Sequence, residues 1–153
     1  LTGTEDMAPL QFLVPLGWLS VVGPVLPFAI LTMAVANLAT RHVAHKRHVE
    51  QAKVGDSVEP YGPHAFTNFG LVTLSFAFAV HAPTGGTIIS IIAVTMLIAD
   101  LFEFESRNVE ARNDMSLEAP KSAIAASVLL LLYAAYYALF FLVADFWNNA
   151  VIA

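Results

Sequence analysis

The sequence predicts an all-α membrane protein, a four-transmembrane-helix bundle with a short N-terminal apolar segment and cytoplasmic helix extensions. Three observations predict it. Residues 7–40, 60–99 and 122–144 hold no Asp, Glu, Lys or Arg. All seven basic residues fall in two polar stretches: Arg41, Lys46, Arg47 and Lys53 in one, Arg107, Arg112 and Lys121 in the other. Only 12% of the 153 residues are charged and 58% are hydrophobic, with a mean hydropathy of +0.69. Soluble domains carry about 25% charged residues, and a bilayer core takes about 20 apolar residues per helix. The chain reads as a single integral membrane domain over residues 1–153.

The elements follow in order. Met7 opens Met7-Ala8-Pro9-Leu10 and is a plausible natural start, which would make residues 1–6 a processing remnant. No basic region precedes an apolar core here, so a cleavable signal peptide is not indicated. Residues 10–22 are apolar but hold Pro15 and Gly17, and Gly23, Pro24 and Pro27 follow. Proline breaks or kinks a helix, so 10–22 reads as an interfacial or re-entrant segment. The first full helix starts near Pro24, since proline suits a first turn. It spans the bilayer over about 24–41, continues into water and stops at Gly55. Residues 55–63 are a loop by their turn chemistry. The second span covers about 64–81, residues 81–86 form a tight hairpin, and the third span covers about 87–102 before a polar extension. Ser116 as N-cap or Pro120 as first residue opens the fourth helix, which spans about 122–146.

The loops set the orientation. The 41–60 and 103–121 loops hold every basic residue, so they are placed in the cytoplasm and both termini outside. Trp18, Phe146 and Trp147 then fall at the outer boundary and Tyr61 at the inner one, as an aromatic belt requires. The expected location is a cell membrane, crossed several times.

Composition narrows the chemistry. A net charge of −5 argues against nucleic acid as partner. With no cysteine there is no disulfide, thiolate metal site, iron–sulfur cluster or cysteine nucleophile. No Walker loop, nucleophile elbow or HExxH stretch is present. His64 and His81 sit at opposite ends of one span, which argues against a haem within this chain. No cofactor is expected.

Four groups of residues are candidates. His42, His45 and His48 are spaced i, i+3, i+6, on one arc of a helix beside Arg41, Lys46 and Arg47. Imidazole ligates metals and titrates near neutral pH, but three adjacent cations disfavour a metal ion, and contact with anionic headgroups is the stronger reading. Asp100 and Glu103 lie one turn apart at the inner end of the third helix. An acidic residue at membrane depth is a candidate ion or proton site; the plainer reading is an interfacial salt-bridge patch, with Glu103 pairing Arg107 at i, i+4 and a link to the 41–53 helix. Tyr133, Tyr136, Tyr137, Phe140 and Phe141 form an aromatic stripe suited to lipid or partner packing. Ala134/Ala138, Ser122/Ala126 and Ala123/Ser127 offer small-residue faces for close helix approach, and Asn37, Thr67, Asn68, Thr73, Ser75 and Thr95 are positioned to hydrogen-bond between helices.

The stretches Leu10-Gln-Phe-Leu-Val-Pro-Leu-Gly-Trp-Leu, Asn37-Leu-Ala-Thr-Arg-His-Val-Ala-His45 and Asp100-Leu-Phe-Glu-Phe-Glu-Ser-Arg-Asn-Val-Glu-Ala-Arg112 resemble a family of small haloarchaeal integral membrane proteins, a domain of unknown function. The resemblance implies a cell-membrane location and carries no activity.

The expected function is non-enzymatic: an accessory or scaffold subunit of a larger membrane complex, its partners the lipid bilayer and other membrane subunits. The alternative is a homo-oligomeric channel or small-solute carrier with a pore between protomers. Asp100 facing a shared axis would mark the alternative.

Overall fold

A computed structural model describes residues 16–152. The described residues contain no strand and form these helices: α1 (Leu16–Val22), a 3-10 turn (Gly23–Val25), α2 (Leu26–Val54), α3 (Gly62–His81), α4 (Pro83–Arg112), α5 (Lys121–Trp147) and a closing π turn (Asn148–Ile152). Residues 1–6 and the first half of the 10–22 segment lie outside the described residues. Residues 16–22 are helical and lead through the 3-10 turn into α2. Among the described residues four helices are long and apolar enough to cross a membrane: Gly17–Val54, Gly62–His81, Pro83–Arg112 and Lys121–Phe140. The two shortest, of 20 residues each, rise about 30 Å, the thickness of a hydrocarbon core.

Short connections fold the helices into an up-and-down bundle. α2 packs on α3 and α5, α4 packs on the same two, and α2 and α4 face each other across the diagonal. Past its first turn, where Leu26 and Pro27 are buried, the buried positions of α2 are Ile30, Ala34, Asn37, Arg41, Ala44 and His48, alternately four and three apart. That 3.5-residue repeat is the seam of a left-handed bundle. Ile30, Leu71, Ile89, Met96 and Leu130 are fully enclosed. Between them stand small residues, including Ala93, Ala123, Ser127, Ala134 and Ala138, which let the helices approach closely. The small-residue faces of α5 are thus largely spent inside the bundle.

The outside is the reverse. Phe66, Phe69, Phe76, Ile91, Leu132 and Leu142 are each more than half exposed. Apolar cover on this scale is abnormal for a soluble monomer and is what lipid-facing helices carry.

Three boundaries differ from the expected ones, each for a local reason. The long first helix begins at Leu26 and not at Pro24, because Pro24 sits in the first positions of the 3-10 turn and Pro27 in those of α2. The third helix begins at Pro83, four residues before Thr87. Pro83 takes its first turn, and Gly85 and Gly86 continue the helix because its neighbours leave no room for a side chain there. A Cβ on Gly86 would run into the Ala79 backbone, and one on Gly85 into the Tyr137 hydroxyl. The 81–86 hairpin therefore shrinks to a single non-helical residue, Ala82. The fourth helix begins at Lys121, where Ile124 N donates to Pro120 O at 2.9 Å. Its next amides, of Ser122 and Ala123, donate to the Glu103 carboxylate of α4 at 3.1 and 3.3 Å. Of the two expected openings, Pro120 stands one residue before the start, and a carboxylate from another helix takes the capping role that Ser116 would have had; its charge suits the positive end of the helix.

Candidate functional site

The polar residues of the bundle gather at the end where the two longer loops emerge. Asn37 is their hub. Its Nδ2 donates to Thr67 Oγ1 at 3.0 Å and to Asn68 Oδ1 at 2.7 Å, both on α3. Its Oδ1 accepts from Arg41 Nη2 at 3.0 Å, one turn along α2, and from Ser127 Oγ of α5 at 3.3 Å. Arg41 then crosses the diagonal: Nη1 pairs with Asp100 Oδ1, and Nη2 with Asp100 Oδ2 at 2.9 Å. The two side chains are only 3% and 10% exposed. His64 Nε2 approaches the second carboxylate oxygen at 3.4 Å, and its Nδ1 meets Thr40 Oγ1 at 3.0 Å. One network therefore ties α2, α3, α4 and α5 together.

The placement follows from heptad spacing. Asn37, Arg41, Ala44 and His48 occupy successive seam positions, so the side chains at 37, 41 and 48 turn inward while His42, Lys46 and Arg47 turn out. Burying an ion pair is costly unless its remaining donors and acceptors are also satisfied. Asn37 takes a donor of Arg41 and His64, held by the Thr40 hydroxyl, approaches Asp100, while Arg41 Nε is buried without a partner among the described residues.

A second cluster lies two turns further along α2. His48 is buried and takes two contacts: Nε2 to Glu59 O at 2.8 Å, and Nδ1 to Arg107 Nη1 at 3.0 Å. A guanidinium only donates and a carbonyl only accepts. His48 is therefore a neutral imidazole with its proton on Nε2. The Phe104 ring sits edge-on against it, centroids 5.7 Å apart. The 55–61 loop is held down beside it, through Val58 N to Asn108 Oδ1 at 3.0 Å and Glu59 N to Gln51 Oε1 at 2.9 Å. At the rim the Arg47 guanidinium lies 4.8 Å over the Tyr61 ring, a cation–π contact. A cavity of about 380 Å³ opens beside both clusters, with His48, His64, Asp100 and Arg107 among its lining residues.

The predicted site residues are placed as follows. Asp100 enters the buried network. Glu103 points the other way, to the start of α5, and Arg107 bonds His48. The expected Glu103–Arg107 pair within one helix is replaced by bonds to two other elements. His42, His45 and His48 diverge: His42 is exposed, His45 half-buried and His48 buried. No group of three metal-ligating side chains stands together among the described residues. Arg41, expected at the headgroups, is turned inward. The aromatic stripe divides, because neighbouring residues on a helix point about 100° apart. Tyr133 and Tyr137 lean on the core, with Tyr137 edge-on to Phe78 at 5.5 Å. Tyr136 and Phe140 face outward, 5.2 Å apart. The Phe141 side chain lies outside the described set. Of the polar candidates, Asn37, Thr67 and Asn68 bond between helices, while Thr95 bonds Ile91 O on its own helix.

The family model described as Domain of unknown function (DUF7313) matches residues 8–151. The chain belongs to the DUF7313 family. No curated protein and no solved structure matches it. The DUF7313 match takes in both clusters and every buried residue named above.

Proposed function

We propose that the DUF7313 chain is a non-enzymatic protein of the archaeal cell membrane, an accessory or scaffold subunit of a larger membrane complex. Both termini lie outside and the 41–60 and 103–121 loops lie in the cytoplasm, where exposed basic residues favour the negatively charged inner surface. The observation that carries this reading is the fate of Asp100. A pore keeps its acidic ring free to meet ions, whereas both oxygens of this carboxylate are taken by Arg41 inside one protomer. The polar residues are spent on holding four helices in one arrangement, and that rigidity suits a subunit offering fixed surfaces. With the small-residue faces used internally, association falls to the exposed Leu132, Tyr136, Phe140 and Leu142 of α5 and to the polar ends of α2 and α4.

The test is gentle detergent extraction from native membranes, followed by sizing and mass spectrometry of the co-purifying chains. Stoichiometric partners are expected. A closed assembly of this chain alone would overturn the scaffold reading and favour a pore between protomers. In reconstituted vesicles, Asp100→Asn is expected to leave ion conductance unchanged.

A further inference from the structure

Arg107 is a buried guanidinium that no carboxylate touches; Glu103, Asp100 and Glu110 favour its charge only through space. It is 6% exposed, and one donor group, Nη1, is committed to the neutral His48 ring. Its Nε and Nη2 are buried and have no hydrogen-bond partner among the described residues. No carboxylate of the described residues, Glu103 and Glu110 included, stands within ion-pair distance of it, and Asp100 pairs with Arg41 and His64. Leaving a buried guanidinium without counter-charge is strongly destabilising. The free groups are also the informative ones. Nε–H and one Nη2–H point the same way and make the side-on fork that holds two oxygens of a single carboxylate or phosphate.

Arg107 borders two cavities. The smaller, about 270 Å³, is lined also by Glu103, Glu110, Glu118 and Lys121, and three carboxylates there repel an anion. The larger, about 380 Å³, lies between the start of α3 and the inner half of α4. Its walls are mostly apolar, with Phe69, Leu97, Leu101 and Phe104 among them. Its acidic neighbours are Asp100, already neutralised, and Glu105, exposed at the rim. Phe69 and Leu101 are more than half exposed, so the cavity opens on the apolar flank of the bundle.

We propose that this cavity binds an anionic amphiphile, its phosphate or carboxylate head on the Arg107 fork and its hydrocarbon tail running out past Leu101 and Phe69. His48 is a positioning residue: by taking Nη1 it turns the free edge of the guanidinium toward the ligand. Such a molecule enters sideways from the bilayer, and its head supplies the charge that Arg107 lacks. Basic pockets between transmembrane helices are a recognised way of holding lipid headgroups.

The test is native mass spectrometry of the full chain in mild detergent, titrated with phosphatidylglycerol and with phosphatidylcholine of the same acyl chains. The wild type is expected to prefer the anionic lipid by about tenfold or more, because phosphatidylcholine brings its own ammonium beside the phosphate and no net charge to answer Arg107. Arg107→Gln should abolish the preference, while Arg112→Gln, an exposed cation on the same helix, should keep it. Leu101→Trp, which narrows the mouth without touching the charge, should weaken binding of the anionic lipid and decides the matter if Arg107→Gln fails to fold. Millimolar inorganic phosphate should not displace the lipid. Equal binding of the two lipids, a preference that survives Arg107→Gln, or unaltered binding in Leu101→Trp would each overturn the proposal. Displacement by inorganic phosphate would do so too, assigning the fork to a free anion.

Discussion

Replacing Asp100 by Asn removes the counter-charge of a guanidinium that is 3% exposed while keeping the shape of the side chain. Two unit charges roughly 4 Å apart attract by about 4 kcal/mol at the effective dielectric of 20 that describes protein sites. The Asn oxygen still accepts one bond from Arg41, so part of the contact survives. Breaking a buried pair from one side costs about 3–5 kcal/mol, and about 3 kcal/mol is the expected loss for Asp100→Asn. Arg41→Gln should cost a similar amount, with an added loss from the acceptor side of Asn37. The double variant Arg41→Leu/Asp100→Leu should recover most of it, because paired hydrophobic replacement of a buried ion pair is often close to neutral. The assay is the reversible unfolding midpoint in mixed detergent micelles, read as a double-mutant cycle. A loss under about 1 kcal/mol for Asp100→Asn, or strictly additive effects in the double variant, would refute the view that this pair locks the diagonal of the bundle.

Three further outcomes follow from the packing. Gly86→Val places a branched side chain against the Ala79 backbone, and should separate α3 from α4 at a cost of roughly 3 kcal/mol or more, since helix backbone yields less than a side chain; the unfolding midpoint measures it. Glu103→Gln keeps an acceptor for Ser122 and Ala123 but removes the negative charge at the start of α5, and should cost about 0.3–1 kcal/mol at low salt, shrinking as salt is added. Asp114 has φ 56° just past the end of α4, where Met115 N reaches back to Glu110 O at 2.9 Å as in a Schellman closure. Asp114→Gly should raise stability by up to about 1 kcal/mol, glycine being free of the Cβ contact that disfavours this region; a lower unfolding midpoint would count against it.

Much of the fold was legible in the chain. Three charge-free stretches, the middle one divided by the turn residues of 81–86, predict four helices, since backbone polar groups in an apolar solvent have to bond within their own segment. The candidate site was legible only in part. Asp100 stood out because acidic residues are rare in such a setting, and Asn37, Thr67 and Asn68 because polar groups in spans look for partners. Arg41 was read as a headgroup-facing cation from the company of Lys46 and Arg47, and Arg107 as the i, i+4 partner of Glu103 in an interfacial salt-bridge patch. The missed signal was the four-three spacing of 34, 37, 41, 44 and 48, which places Arg41 and His48 on the same inward face as Ala34. Charge clustering describes a stretch as a whole; seam spacing separates its members.

The sequence by itself determined that the chain is helical, how many long apolar helices it holds and where they end to within a few residues. Those properties rest on local terms: hydropathy, proline and glycine. Which polar groups meet was decided by tertiary structure, because it depends on how each helix is rotated about its own axis and on which neighbours share a level. Glu103 and Arg107 are the plainest case. One turn apart, they are ideal partners on an isolated helix. In the folded bundle the amides at the start of α5 take Glu103 and the ring of His48 takes Arg107, so the local pair gives way to two long-range contacts, and Arg107 keeps two buried donor groups without a partner among the described residues.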